Sequence, residues 1–202
     1  MNKKLPLTES NLETAYQTVK ELSNYGCEMH LIETFFNKYP LNTDPLIVAA
    51  KVAIIDTTNS TNIARYKSKI SLCDVVKIIL SINDIDKRIA HGDPSVVSEI
   101  ARKSKKNHNI NLFSFASKYC CYHNICVYKK DDYSIYDSVV SRALPLYATP
   151  TLPITTNRLE GWRKKFDYQS FNDYIGKILA AYHITLPYKR RWFDNFLWYN
   201  YK

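Results

Sequence analysis

Four glycines in 202 residues leave this chain almost without the residue that tight turns are built from. The share is about 2%, against roughly 7% in ordinary proteins. Glycine supplies positive φ and close backbone approach. Its scarcity argues against a Gly-rich phosphate loop, a dinucleotide fingerprint and β architectures with many short hairpins. The apolar residues, 46% of the chain, fall at helical spacing instead. Ser10-x-x-Glu13 reads as a capping box ahead of Leu12, Ala15, Tyr16, Val19 and Leu22, with Gly26 as the stop. Residues 28–38 read as a second helix, closed before Pro40. Asp44-Pro45 opens a third that reaches about Ile55, Ser71 caps a fourth through Leu80, and Asp93-Pro94 starts another. Further helices are expected at 111–123, 137–146, 170–183 and 189–200, with a proline-bearing irregular crossover over 145–156. The expectation is an all-α protein whose residues 1–202 form one helical domain.

No apolar run is long enough to span a bilayer, and no apolar leader follows Met1-Asn2-Lys3-Lys4. Cysteines 27, 73, 120, 121 and 126 are odd in number and lack C-x-x-C spacing, which fits a reduced, cytoplasmic protein. Cys120, Cys121 and Cys126 sit near His123, but a zinc site needs a second, separated pair of ligands. They read as small buried residues; no metal and no cofactor is expected. The net charge of +9 is uneven: residues 101–130 carry +7 with no acid, and 158–202 carry +5. Such blocks suit a polyanion, with nucleic acid the first candidate, and suit a solvated lysine-rich face equally.

Two stretches carry chemistry. Leu112-Phe-Ser-Phe-Ala-Ser-Lys118 is followed by Ser134-Ile-Tyr-Asp137-Ser-Val-Val, which sets Lys118 nineteen residues before an Asp that opens a helix. Lys67 and Asp86 have the same interval, so the flanks and not the spacing carry the signal. By themselves these residues read as a surface lysine and a helix N-cap. Upstream, Asp44-Pro45-Leu46-Ile47 leads to Thr57-Thr58-Asn59-Ser60-Thr61-Asn62-Ile63-Ala64-Arg65.

Together the two stretches resemble the helix-hairpin-helix (HhH-GPD) DNA glycosylases, most of all the 8-oxoguanine DNA glycosylase branch. The resemblance covers residues 44–145. It implies a compact helical fold with an active-site cleft between two helical halves, and the basic, aromatic residues 157–202 packing back as C-terminal helices. Lys118 becomes the amine that forms a Schiff base and Asp137 the carboxylate that stabilises the sugar cation. Ser60 stands where the family has its void-filling Asn, Asn62 keeps an Asn, and Arg65 falls where the orphaned cytosine is read. Ser114 and Ala116 occupy the two glycine positions of the phosphate-binding hairpin, with Ser117 beside them. The four-cysteine pattern of the endonuclease III branch is missing, so no iron–sulfur cluster is expected. The implied activity is excision of an oxidised or modified base from double-stranded DNA, with strand cleavage, by a monomer. A binding protein without chemistry and a same-fold glycosylase for another base, as in phage defence, stay open. An extruded base is stacked on aromatics, and Tyr122, Trp192, Phe193 and Phe196 are the candidates, although a terminal helix docking its aromatic face into the core accounts better for most of the C-terminal rings.

Overall fold

The computed structural model describes residues 4–61, 63–66 and 68–202. Their regular structure is helical throughout, without a β-strand: α1 (Glu9–Glu21), α2 (Ser23–Lys38), α3 (Pro45–Asn59), α4 (Leu72–Leu80), α5 (Ile85–Ala90), α6 (Ser95–His108), α7 (Phe113–Tyr128), α8 (Ser138–Ala143), α9 (Thr156–Lys165), α10 (Tyr168–Ala181) and α11 (Lys189–Tyr201), with 3-10 turns at Ile63–Tyr66 and Leu144–Tyr147. The fold is all-α, and none of the helices described is long and apolar enough to cross a membrane.

Capping chemistry places most helix starts where the sequence puts them. Asp44 accepts the Leu46 N–H at 2.8 Å with Pro45 in the first turn. Ser71 and Asp74 form a reciprocal capping box, and Asp137 accepts the Val139 and Val140 N–H groups. The first helix differs. Thr8, not Ser10, is its N-cap, accepting from Asn11 at 3.2 Å. Helix α9 falls between the expected crossover and the next expected helix at 170, where none was placed, because only Leu159 and Trp162 of its residues are buried and its stripe is too narrow to show periodicity.

Gly26 does not stop a helix. Helix α1 ends at Leu22, where ψ swings to 121°, and α2 runs through Gly26 from Ser23. The elbow brings the Lys20 carbonyl so close that a Cβ on residue 26 would lie 2.0 Å from its oxygen. Glycine is there for room, not for a turn.

Helix α7 is the spine. Twelve of its sixteen residues are buried, because α2, α3, α5 and α6 pack around it. Its polar groups therefore need internal partners. Asn42 Oδ1 takes the Tyr119 hydroxyl at 2.6 Å and the Lys51 ammonium at 3.1 Å, and Asn42 Nδ2 donates to Asp86 at 2.7 Å. Burial pushes Lys51 down to about 8 against the pull of Asp86, and it holds His123 below its ordinary range against the pull of the same carboxylate, 3.4 Å from Nε2. Helix α1 packs along α11, joining the two ends of the helical order. Cys120, Cys121 and Cys126 are all buried in α7.

Two outcomes follow from these placements. Gly26→Ala forces the elbow apart and lowers unfolding free energy by about 2–3 kcal/mol in urea melts. Gly161→Ala in α9, where nothing lies within 4 Å of the new methyl, raises it by roughly 0.5–1 kcal/mol. The thiols set an alkaline limit. Burial lifts Cys126 to about 12 and lifts Cys120 and Cys121 also. The folded chain keeps these protons after the unfolded chain has lost them, so stability present below the unfolded thiol pKa is lost as pH rises above it. Lys51, whose folded pKa is depressed, works in the opposite direction as one group against three. Urea melts at pH 9 and 10 should show declining stability, with Cys126→Ala making the slope shallower by about 1.4 kcal/mol per pH unit.

Candidate active site

The C-terminal end of α3 is held by its own side chains. Thr58 Oγ1 donates to the Ile54 carbonyl at 2.8 Å, and Asn59 Nδ2 donates to Thr58 Oγ1 at 2.7 Å. Ser60 then turns the chain with a φ of 49°, the left-handed geometry of a helix end. Asp56 reaches forward and fixes what comes next. Its Oδ1 accepts from Thr61 Oγ1 at 2.5 Å and from the Ile63 N–H at 2.8 Å, and its Oδ2 accepts from the Ala64 N–H at 3.0 Å. Arg65 is exposed on the 3-10 turn that follows. Asn62 lies outside the described residues.

Lys118 sits in the second turn of α7, and only 6% of it is exposed. Its Nζ donates to the Asn59 carbonyl at 3.0 Å and lies 3.6 Å from Asp137 Oδ2. Asp137 divides its oxygens: Oδ1 caps α8 through two N–H groups at 2.9 Å, which leaves Oδ2 for the amine. What brings the two together is Ser117. Its Oγ accepts the Tyr136 N–H at 3.0 Å, tying the extended segment before Asp137 to the helix that carries Lys118.

That observation corrects the expectation for the hairpin. Helix α7 begins at Phe113, so Ser114, Ala116 and Ser117 belong to its first turns and not to a loop. The turn comes earlier, at Asn109, whose φ is 57°, and Asn111 Oδ1 caps the Phe113 N–H at 3.0 Å. Ala116 and Ser117 are buried; Ser114 alone of the three reaches the cleft.

The cleft holds about 1050 Å³ and is lined from α2, α3, α7, α8, α9 and α11. Ser60, Lys118 and Asp137 share it with Tyr25, Asp194 and Trp198. Tyr25 stacks on Trp198 with ring centroids 4.4 Å apart and planes 24° from parallel, which makes a flat aromatic wall. Asp194 pairs with the buried Arg191 at 2.5 Å. Burial pushes the Asp194 carboxyl up to about 6 although Arg191 pulls it down, and the charge of Asp137 adds to the rise. Arg142, Arg163 and Lys202 supply positive charge to the lining.

The aromatic candidates are placed differently from expectation. Phe193 and Phe196 are buried against Tyr147 in the core, and Trp192 stacks on Tyr16 at 4.9 Å, so none of the three lines the cleft. Tyr122 is also interior. Its hydroxyl donates to Asn59 Oδ1 at 2.8 Å and accepts from Arg191 at 3.1 Å. The basic block of 101–130 does not form one face: Lys118 is inside, Lys103 pairs with Glu99 at 3.1 Å, and Lys130 donates to the Ala90 carbonyl at 2.6 Å. Asn59, Arg191, Asp194 and the Tyr25–Trp198 wall are absent from the expected set. Only the i, i+4 spacing of Asp194 and Trp198 on one helix hinted at them.

The family model HI_0787_N, described as an N-terminal domain, matches residues 11–131, and the chain belongs to that family. An uncharacterized protein of Haemophilus influenzae is 31% identical over 126 residues, which covers 59% of this chain. The match spans 60% of the length of that relative. No solved structure matches. The matched region contains Ser60 and Lys118, whereas Asp137 and Asp194 lie beyond it.

Asp56→Ala removes three hydrogen bonds from the segment after α3. Amide exchange at Ile63 and Ala64 should accelerate at least about tenfold, the consequence of losing roughly 1.4 kcal/mol of local protection, while α7 amides keep their wild-type rates.

Proposed function

We propose that this chain is a base-excision DNA glycosylase with lyase activity, built on a helix-hairpin-helix-like arrangement and acting on a modified base of the 8-oxoguanine type in duplex DNA. One observation carries the reading: a nearly buried lysine amine stands 3.6 Å from a carboxylate and opens onto a cleft that also holds Ser60. A structural ion pair has no need of a cleft. An enclosed amine and a carboxylate converging in a concavity are the mark of a chemical site.

The chemistry uses each residue once. The base leaves the stack and enters the cleft, where the Tyr25–Trp198 wall offers a stacking surface. As the glycosidic bond breaks, the bonding pair leaves with the base, which takes a proton from the Lys118 ammonium, and the amine lone pair so freed bonds to the anomeric carbon. Cationic character on the sugar is stabilised by the Asp137 carboxylate. A proton then passes from the new ammonium to the ring oxygen as the ring opens, which leaves the imine. Ser60, on its left-handed turn, enters the space vacated in the duplex. Arg65, exposed on the next turn, donates to O2 and N3 of the orphaned cytosine. The partner is double-stranded DNA, gripped by a chain of formal charge +9. The free cysteines suit the reducing cytoplasm.

Borohydride reduction on a panel of abasic and oxidised duplexes tests this directly. The wild type should be trapped as a covalent adduct. Lys118→Ala should lose the adduct and strand cleavage while its affinity for a non-cleavable duplex stays within about threefold, since few phosphate contacts depend on one buried amine. A Lys118→Ala protein that is still trapped, or a wild type trapped on no duplex, overturns the proposal.

A further inference from the structure

The carbonyl that accepts the Lys118 ammonium belongs to Asn59, so it lies in the peptide that joins Asn59 to Ser60. A peptide unit is planar, so rotation about the Asn59 Cα–C bond turns that carbonyl and swings the Ser60 Cα together, as one plate. The Lys118 amine is hydrogen-bonded to that plate.

The Asn59 side chain is held from the same helix as Lys118, one turn further on. The Tyr122 hydroxyl donates to Asn59 Oδ1 at 2.8 Å. Tyr122 is in turn gripped by Arg191, whose Nη2 donates to the hydroxyl at 3.1 Å and whose guanidinium lies 4.9 Å from the ring centroid. Arg191 is anchored by Asp194 on its own helix, and the N-terminus of that helix is fixed by Asp131, which accepts the Arg190 and Arg191 N–H groups at 2.6 and 3.1 Å. The line runs unbroken from α11 through α7 to the last residue of α3.

We infer that Asn59 is a positioning residue: held by Tyr122 and the Arg191–Asp194 pair, its carbonyl restrains the Lys118 amine until movement of Ser60 turns the shared peptide and frees it. The inference rests on the glycosylase reading for its functional half. Its physical half, the restraint, concerns the free protein alone. Neither Tyr122 nor Asn59 need touch substrate for this. Their work is to make the amine available only when the loop has moved.

The test uses Tyr122→Phe, which deletes one hydroxyl, and Asn59→Ala, which keeps the carbonyl and deletes the acceptor of that hydroxyl. Competitive acetylation with acetic anhydride, read at each lysine by mass spectrometry, measures the amine without DNA. Lys118 should be acetylated several-fold faster in both variants, while the buried Lys51 keeps its wild-type rate and so reports an intact fold. On duplex, single-turnover borohydride trapping should slow by about tenfold as the amine loses its placement, with the Kd for a non-cleavable duplex unchanged within about twofold. A more reactive Lys118 beside an unchanged Lys51 separates release of this one amine from a general loosening of the packing. Unchanged acetylation of Lys118, or unchanged trapping in both variants, overturns the inference. If the wild type itself is trapped on no duplex, the glycosylase reading fails, and the acetylation comparison still decides whether the bridge restrains Lys118.

Discussion

The burial of twelve of the sixteen residues of α7 is the constraint on which the rest depends. A helix so enclosed keeps a polar group cheaply only by giving it a partner, because an unpaired one costs about 1–3 kcal/mol. Four such groups on α7 fix other elements. Ser117 fixes the segment before α8, Lys118 meets the end of α3, Tyr119 meets Asn42, and Tyr122 meets both Asn59 and α11. Ser117, Lys118 and Tyr122 tether the Tyr136 and Asn59 segments that border the cleft.

Local chemistry was legible in the sequence and tertiary chemistry was not. Asp44-Pro45, Ser71 and Asp137 were readable as helix starts because a cap is satisfied within three residues. The nineteen-residue interval from Lys118 to Asp137 had a twin in Lys67 and Asp86, and only the flanks told them apart. Asp86 in fact serves Asn42 in the core. Gly26 was misread because the atom it makes room for, the Lys20 oxygen, belongs to a bend that no local pattern records.

The aromatic residues show the same limit more sharply. Phe193, Phe196 and Trp198 lie on one helix, and periodicity says only that its rings form a stripe. Which ring meets the core and which meets the cleft depends on where α1 and α2 cover α11. Tyr25, the other half of the wall, comes from a helix more than 150 positions away in the chain. Ser117 shows a different limit: a small polar residue near a lysine suits phosphate binding and internal tethering alike, and burial decided between them.

The packing of α1 along α11 bears on how the protein is made. On the ribosome α1 emerges well before α11, its main partner. Leu12, Ala15 and Val19, fully enclosed in the finished fold, have no partner helix from α11 to cover them in the meantime. Domains form as units once their long-range contacts exist, and exposed apolar faces invite aggregation until then. Closure of this fold therefore waits for α11, and until α11 is made the face of α1 that it covers stays open.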